Sequence, residues 1–181
     1  MMVGPDLLVA PVFEPGQRER RLYLPAGTHA QGWFDFWSGQ YWPGGSTVTV
    51  DAALERLPLF VRAGSLLPTT DTWDDRALTE EPSRALRYYP PPVGSPASTS
   101  TVELFEDDGL QAGNQPAKHR LLRFDASAND GTLSIGSHQS GTWTLPYTHV
   151  RIALPTNEHR RLDLPLGAVT LTPAPVGRGQ S

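Results

Sequence analysis

In this 181-residue chain, the strongest indication of the fold is Trp33-Phe34-Asp35-Phe36-Trp37-Ser38-Gly39. Side chains alternate between the two faces of a strand, so Trp33, Asp35 and Trp37 share one face and the two phenylalanines share the other. Both faces therefore carry aromatic rings, which is typical of a strand packed inside a β-sandwich. Ser38-Gly39 predicts a tight turn, and Gln40-Tyr41-Trp42 then forms the returning strand of a hairpin.

The rest of the chain repeats this pattern of short strands separated by turns. Ser46 to Asp51 alternates, with Val48 and Val50 on one face, as a half-buried antiparallel strand does. Asn129-Asp130-Gly131 predicts a second hairpin, because an Asp-Gly pair supplies the positive φ that such turns demand. The 17 glycines and 18 prolines have no fixed period, and no segment shows a sustained helical repeat. The predicted fold is all-β, with two small antiparallel β-sandwich domains in series.

Composition limits what this chain can bind. Its residues are 38% hydrophobic and 19% charged, as in a globular protein, and the net charge of −4 gives no basic field for nucleic acid or an anionic membrane. The absence of cysteine excludes disulfides, thiolate metal sites and cysteine nucleophiles. The five histidines show no ligand spacing, so we expect no metal and no cofactor. Neither a membrane-spanning run nor a signal peptide is expected, and the cellular compartment stays open.

Several blocks of sequence carry a family resemblance. The aromatic stretch at 33–39 lies between Gly4-Pro5-Asp6-Leu7-Leu8-Val9-Ala10-Pro11-Val12 and Pro58-Leu59-Phe60-Val61-Arg62-Ala63-Gly64-Ser65. In this order the blocks resemble the region after the catalytic barrel in glycoside hydrolase family 31, the family of α-glucosidases and α-xylosidases. Leu104-Phe105-Glu106-Asp107-Asp108-Gly109 resembles the signature of that family's distal sandwich.

The resemblance implies a division of the chain into four segments. Residues 1–12 would be a remnant of the last strand of a lost (β/α)₈ barrel, and residues 13–68 a proximal β-sandwich. Residues 69–84 would form a connection, and residues 85–181 a distal β-sandwich.

The resemblance also implies a function. Intact family 31 enzymes hydrolyse terminal α-glycosidic bonds with retention, which needs two carboxyl groups about 5 Å apart. In the family both are aspartates on earlier barrel strands, so no catalytic residue is assigned here, and carbohydrate would bind through the missing barrel. We therefore expect the fragment to be inactive and to support the barrel structurally. Asp35 follows a tryptophan by two residues, as the family's nucleophile does, but its place on a strand favours a turn cap or an arginine partner.

Two other functions stay open. Trp42 follows the hairpin turn and Trp73 lies in the polar connection, so both are candidate stacking surfaces of a stand-alone carbohydrate-binding β-sandwich module. Partly buried packing is the competing interpretation for each. The other alternative is a sandwich that binds protein.

The acidic stretch Glu106-Asp107-Asp108-Gly109 is interpreted as a structural turn rather than an acid pair or a calcium loop. Neighbouring carboxylates on a strand point to opposite faces, which argues against an acid pair.

The apolar run at residues 7–12 leads to a separate prediction. Its unbroken pattern is typical of a strand buried on both faces, as in a barrel. Without the barrel, the strand would expose apolar side chains and unpaired backbone groups. Residues 1–12 are thus expected either to lie against the first sandwich or to drive self-association through residues 7–12. Their deletion should leave the melting behaviour nearly unchanged.

Overall fold

The computed structural model describes residues 1–27, 32–69, 84–107, 118–165, 167 and 169–173. All regular structure in these ranges is β-strand, which confirms the all-β prediction. The strands form sheets of five, four, four and two strands. Within the described ranges there is no helix of the length and apolarity required to cross a membrane.

The first sandwich pairs a five-stranded sheet with a two-stranded one. The large sheet has the order β1-β2-β7-β4-β5, and β3 pairs with β6. The bounds are β1 Met2–Val3, β2 Leu7–Val9, β3 Glu19–Leu24, β4 Gly32–Asp35, β5 Tyr41–Pro43, β6 Ser46–Asp51 and β7 Leu59–Arg62. Leu24 and Val48 from the small sheet pack against Leu8, Trp33 and Phe60 from the large one, and together with Ala10 they form a buried core cluster of this sandwich.

The predicted aromatic hairpin is present in this sheet. Trp33 of β4 lies opposite Trp42 of β5, and the turn between the strands closes on Gly39, whose φ of 70° is one that glycine adopts without strain. Trp33 is fully buried and donates its indole N–H to the Pro25 carbonyl oxygen at 2.9 Å. The strand ends at Asp35, so Trp37 leaves the sheet and stays 44% exposed.

The apolar strand near the start of the chain has partners on both of its edges. β2 pairs antiparallel with β1 on one side and with β7 on the other, where Leu8 lies opposite Phe60. Leu8 is only 6% exposed. β2 thus lies against the first sandwich, which is the first of the two alternatives expected for residues 1–12. Its backbone is not left unpaired, because β1 and β7 supply the hydrogen bonds. Its descent from a barrel strand stays a prediction.

The second sandwich packs two four-stranded sheets face to face. One has the order β15-β13-β9-β8 and the other β10-β11-β12-β14. The bounds are β8 Leu66–Thr69, β9 Arg84–Tyr88, β10 Ser98–Glu106, β11 Arg120–Ala128, β12 Thr132–Gly141, β13 His149–Ala153, β14 Arg161–Asp163 and β15 Thr170–Pro173. Its core is a single cluster to which both sheets contribute fully buried side chains, among them Leu86, Val150, Leu122, Phe124 and Ile135.

The second sandwich is not purely antiparallel as predicted. β13 pairs in parallel with both β9 and β15, and β12 pairs in parallel with β14. Parallel partners need long crossover connections, and the direction of such a distant partner is not encoded in the alternation of one strand.

The β11–β12 hairpin is present, but its turn differs from the prediction. Gly131 does not have a positive φ. The Asn129 side-chain oxygen instead accepts hydrogen bonds from the Gly131 amide at 2.9 Å and the Thr132 amide at 2.8 Å. An Asn side chain can organise a turn in this way without any left-handed residue.

A short junction joins the two sandwiches. β7 belongs to the first sandwich and β8 to the second, so only Ala63-Gly64-Ser65 lies between them. The Gly64 amide donates to the Tyr89 carbonyl oxygen at 2.7 Å, and the Tyr89 amide donates to the Ser65 carbonyl oxygen at 3.0 Å. The Tyr89 ring also lies 5.6 Å from that of Phe34, in a buried cluster that spans both sandwiches. The predicted domain boundaries stay predictions.

Candidate functional site

Several segments of the first sandwich that are joined by hydrogen bonds carry exposed apolar side chains, and we call this set of side chains the apolar end. Three chain segments meet there, because the Ala10 amide donates to the Pro58 carbonyl oxygen and the Phe36 amide to the Leu59 carbonyl oxygen, each at 2.9 Å. The exposed fractions of its side chains are 36% for Val12, 76% for Phe13, 44% for Trp37, 87% for Leu54 and 47% for Leu57.

Local hydrogen bonds hold the apolar end in shape. The Trp37 indole N–H donates to the Leu57 carbonyl oxygen at 2.8 Å, which ties the ring to the segment before β7. The Arg20 guanidinium lies 5.4 Å from the centre of the Phe13 ring, a cation–π contact that orders this exposed side chain. Local contacts therefore hold Trp37 and Phe13 in place while their rings remain partly exposed.

Asp35 caps the turn beside this surface. One of its carboxylate oxygens accepts hydrogen bonds from the Trp37 amide at 3.0 Å, the Ser38 amide at 2.7 Å and the Ser38 hydroxyl at 2.8 Å. This confirms the interpretation of Asp35 as a turn cap.

The two tryptophans predicted as carbohydrate contacts have different outcomes. Trp42 is half-buried on β5 and packs against the core of the first sandwich. Its role in sugar stacking stays a prediction. Trp73 lies outside the described residues, as do Asp108 and Gly109 of the acidic turn.

Glu106 belongs to a partly buried polar network that joins the two sheets of the second sandwich. It is 7% exposed and forms a bidentate ion pair with Arg84 on β9, with distances of 2.7 and 2.9 Å. The Tyr147 hydroxyl donates to the same carboxylate at 2.7 Å. Burial raises the pKa of Tyr147, and the neighbouring carboxylate raises it further, so this hydroxyl remains a donor. Glu106 thus has partners for both oxygens, which supports a structural role for the start of the acidic turn.

A second polar cluster was not found from the sequence. Arg160 and Glu158 form a buried ion pair, and the Arg160 guanidinium also donates to the Pro91 carbonyl oxygen at 2.8 Å and the Asn129 carbonyl oxygen at 3.1 Å. Burial alone would raise the pKa of Glu158, but its hydrogen bonds and ion pair with Arg160 hold it below the usual range. The three loops that meet here are distant in sequence, and only the close pair Glu158 and Arg160 gave a local signal.

One pair of carboxylates lies on the two-stranded sheet. Retaining hydrolysis needs two carboxyl groups facing each other across a bound sugar. Glu19 and Asp51 lie opposite each other on β3 and β6, but both are exposed on the two-stranded sheet. Among the residues that the structure describes, no group of three or more His, Cys, Asp or Glu side chains could hold a metal ion.

Comparisons with known proteins identify relatives of this chain. The family model described as "Glycosyl hydrolase family 31 C-terminal domain" matches residues 1–67. The "Alpha-xylosidase" of Saccharolobus solfataricus is 32% identical over 135 residues, which are 75% of this chain and 17% of that protein. The "Alpha-glucosidase 2" of Bacillus thermoamyloliquefaciens is 26% identical over 78% of this chain and 17% of that protein.

A solved structure agrees with these relatives. The crystal structure of the family 31 alpha-xylosidase from Xanthomonas citri superimposes with a TM-score of 0.64 and 31% identity, covering 85% of this chain and 16% of that one. This chain therefore spans about a sixth of the length of the proteins it matches.

Proposed function

The chain belongs to glycoside hydrolase family 31, with the sequence of its C-terminal region, and on this premise we propose that it is the non-catalytic β-sandwich portion of a retaining α-glycosidase. The intact enzyme would hydrolyse terminal α-glycosidic bonds. The two sandwiches would support the catalytic barrel, and carbohydrate would bind in that barrel. The single observation that carries the proposal is the apolar end of the first sandwich.

The exposure of the apolar end supports the proposal that another domain of the same polypeptide covers it. A soluble monomer rarely leaves several large apolar side chains together in water. Phe13 and Leu54 are 76% and 87% exposed, and the 135 matched residues of this chain cover only 17% of the alpha-xylosidase relative. We assign the flank of the catalytic barrel as the occupant of this surface.

The hydrogen-bond partners of Asp35 and Glu106 support the proposal that this chain is inactive without the barrel. The Asp35 carboxylate caps a turn, and the Glu106 carboxylate is bound by Arg84 and Tyr147. A nucleophile and a general acid need a free face toward the sugar. The chain should therefore not release aryl alcohol from an aryl α-glucoside or α-xyloside above the rate without protein. Release that saturates with substrate would refute the inactivity of the chain.

The oligomeric state of the chain is a separate test of the docking role of the apolar end. We propose that the chain self-associates through the apolar end, which includes Val12 at the end of the segment 7–12. Sedimentation velocity should show concentration-dependent association of the chain, which Leu54→Ser together with Phe13→Ser removes. Val93→Ser is the matched control, since Val93 is 64% exposed but lies in the second sandwich. Association that the control removes and the double variant keeps would refute the role of the apolar end.

The coding sequence around these residues gives an independent test of the parent enzyme. The reading frame before Met1 should continue into barrel strands that carry the two aspartates. A stop codon there would contradict the proposal.

A further inference from the structure

The outward face of β10, β11 and β12 carries an ordered mixture of aromatic and polar side chains. We refer to it as the outer face. Alternation places Leu122 and Phe124 inward, so the residues between them point away from the core. The strand register then aligns three rows across the sheet: Phe105 with Leu121 and Ser140, Glu103 with Arg123 and His138, and Thr101 with Asp125 and Gly136.

An exposed aromatic pair forms one end of the outer face. Phe105 is 61% exposed, and its ring stacks on the ring of His119 with centroids 5.2 Å apart and planes at 16°. The His119 carbonyl oxygen accepts hydrogen bonds from the Thr142 and Trp143 amides at 2.9 and 3.1 Å. Stacking on His119 covers one face of the Phe105 ring, and the 61% exposure of Phe105 leaves its other face to solvent.

A polar network in fixed geometry lies beside that pair. One oxygen of Asp125 accepts hydrogen bonds from the Thr101 hydroxyl at 2.6 Å and from two nitrogens of Arg123 at 3.0 and 2.9 Å. His138 reaches the other carboxylate oxygen, with its Nε2 at 3.7 Å. The Thr101 and Arg123 hydrogen bonds also lower the pKa of Asp125, which keeps its carboxylate ionised.

The charges of this face favour a neutral ligand. Two carboxylates, Glu103 and Asp125, lie beside Arg123 and His138, so no cationic field is present to attract a phosphate backbone. A single exposed aromatic pair is also a poor anchor for a lipid surface. A ligand that packs an apolar ring face on Phe105 and offers hydroxyls to both acceptors and donors fits all of these groups.

We propose that the outer face binds a neutral oligosaccharide, with one pyranose ring on Phe105 and the hydroxyls of its neighbours bonded to Arg123, Asp125 and His138. Sugar rings combine an apolar C–H face with hydroxyls that donate and accept, which matches this arrangement. The distance from the Phe105 row to the Thr101 row is about 14 Å, from four strand residues at roughly 3.4 Å each. A short oligosaccharide can span it. The site is independent of the apolar end, which lies on the first sandwich.

The 181-residue chain can be tested directly by NMR of its histidine rings. Titration with maltotriose, isomaltotriose and xylotriose should move the ring signals of His119 and His138 in a saturable way and leave those of His159 unchanged. The three sugars separate glucose from xylose and one linkage from another. We expect a dissociation constant of about 1 mM. Absence of any saturable shift at a sugar concentration of about 10 mM would overturn the proposal.

Two variants then test the contacts. Phe105→Ala should weaken binding by at least about tenfold, because the stacking surface is lost. Arg123→Ala should weaken it by about three- to tenfold through the lost hydrogen bonds. Tyr23→Ala is the matched control, since Tyr23 is 57% exposed on β3 of the first sandwich, and it should not change binding. Thermal unfolding confirms that each variant is folded. Binding by Phe105→Ala at the original strength, or an equal loss in Tyr23→Ala, would refute the site.

Discussion

Leu8→Ala tests whether the apolar strand β2 belongs to the core of the first sandwich. Leu8 is 6% exposed and packs in the cluster that contains Trp33 and Phe60. The substitution removes three carbon atoms at about 0.8 kcal/mol each, and incomplete closure of the cavity adds to this loss. We expect the free energy of unfolding to fall by about 3 kcal/mol. With a urea m-value of about 2 kcal/mol/M, the unfolding midpoint should fall by roughly 1.5 M.

Urea unfolding followed by tryptophan fluorescence is the assay, since Trp33 is fully buried beside the substitution. Val3→Ala on the neighbouring strand β1 is the control, because Val3 is 47% exposed. It should change the free energy of unfolding by less than about 0.5 kcal/mol. If Leu8→Ala unfolds at the same urea concentration as the wild type, β2 is not part of the core, and residues 1–12 can be removed as the sequence alone suggests.

Three further predictions concern the polar contacts. Glu106→Gln should lower the free energy of unfolding by about 3 kcal/mol, since it removes the charge that forms the bidentate ion pair with Arg84. Urea unfolding measures this change, and an unchanged midpoint would exclude a structural role of Glu106. Glu158→Gln should also destabilise the chain. Because the pKa of Glu158 is lowered on folding, its contribution is complete above about pH 4.5 and is lost as the pH falls through the lower folded-state value. Its deficit relative to wild type should thus shrink on acidification, and a deficit that grows would contradict the Arg160 pair. Asp35→Ala should cost about 1–2 kcal/mol by removing the turn cap, with Asp35→Asn recovering part of it.

The sequence predicted best the features that depend on neighbouring residues. The aromatic hairpin follows from alternation and from a glycine at the turn, and both are visible in a window of ten residues. Asp35 as a turn cap follows in the same way, because its partners Trp37 and Ser38 are two and three residues away. Such local contacts are encoded where they occur.

Features that depend on distant partners could not be predicted from the sequence. Arg84, Glu106 and Tyr147 meet only because three separate strands and loops converge, and each has an ordinary sequence context. The parallel pairing of β9 with β13 has the same origin. The position of the Asn129 turn was predicted, but its conformation was not. The Asp-Gly pair suggests a left-handed glycine, whereas the Asn129 side chain stabilises the turn through a hydrogen bond from the Gly131 amide.

The three-residue junction between β7 and β8 also governs how movement passes through the molecule. Ser65 bonds to Asp6 at 2.8 Å on one side, while the amide of Tyr89 bonds to the Ser65 carbonyl oxygen on the other. Because the junction is only three residues long, rotation of one sandwich relative to the other would break these hydrogen bonds. A barrel bound at the apolar end of the first sandwich would therefore also set the orientation of the second sandwich. The outer face with Phe105 and Arg123 would then keep a fixed direction relative to that barrel.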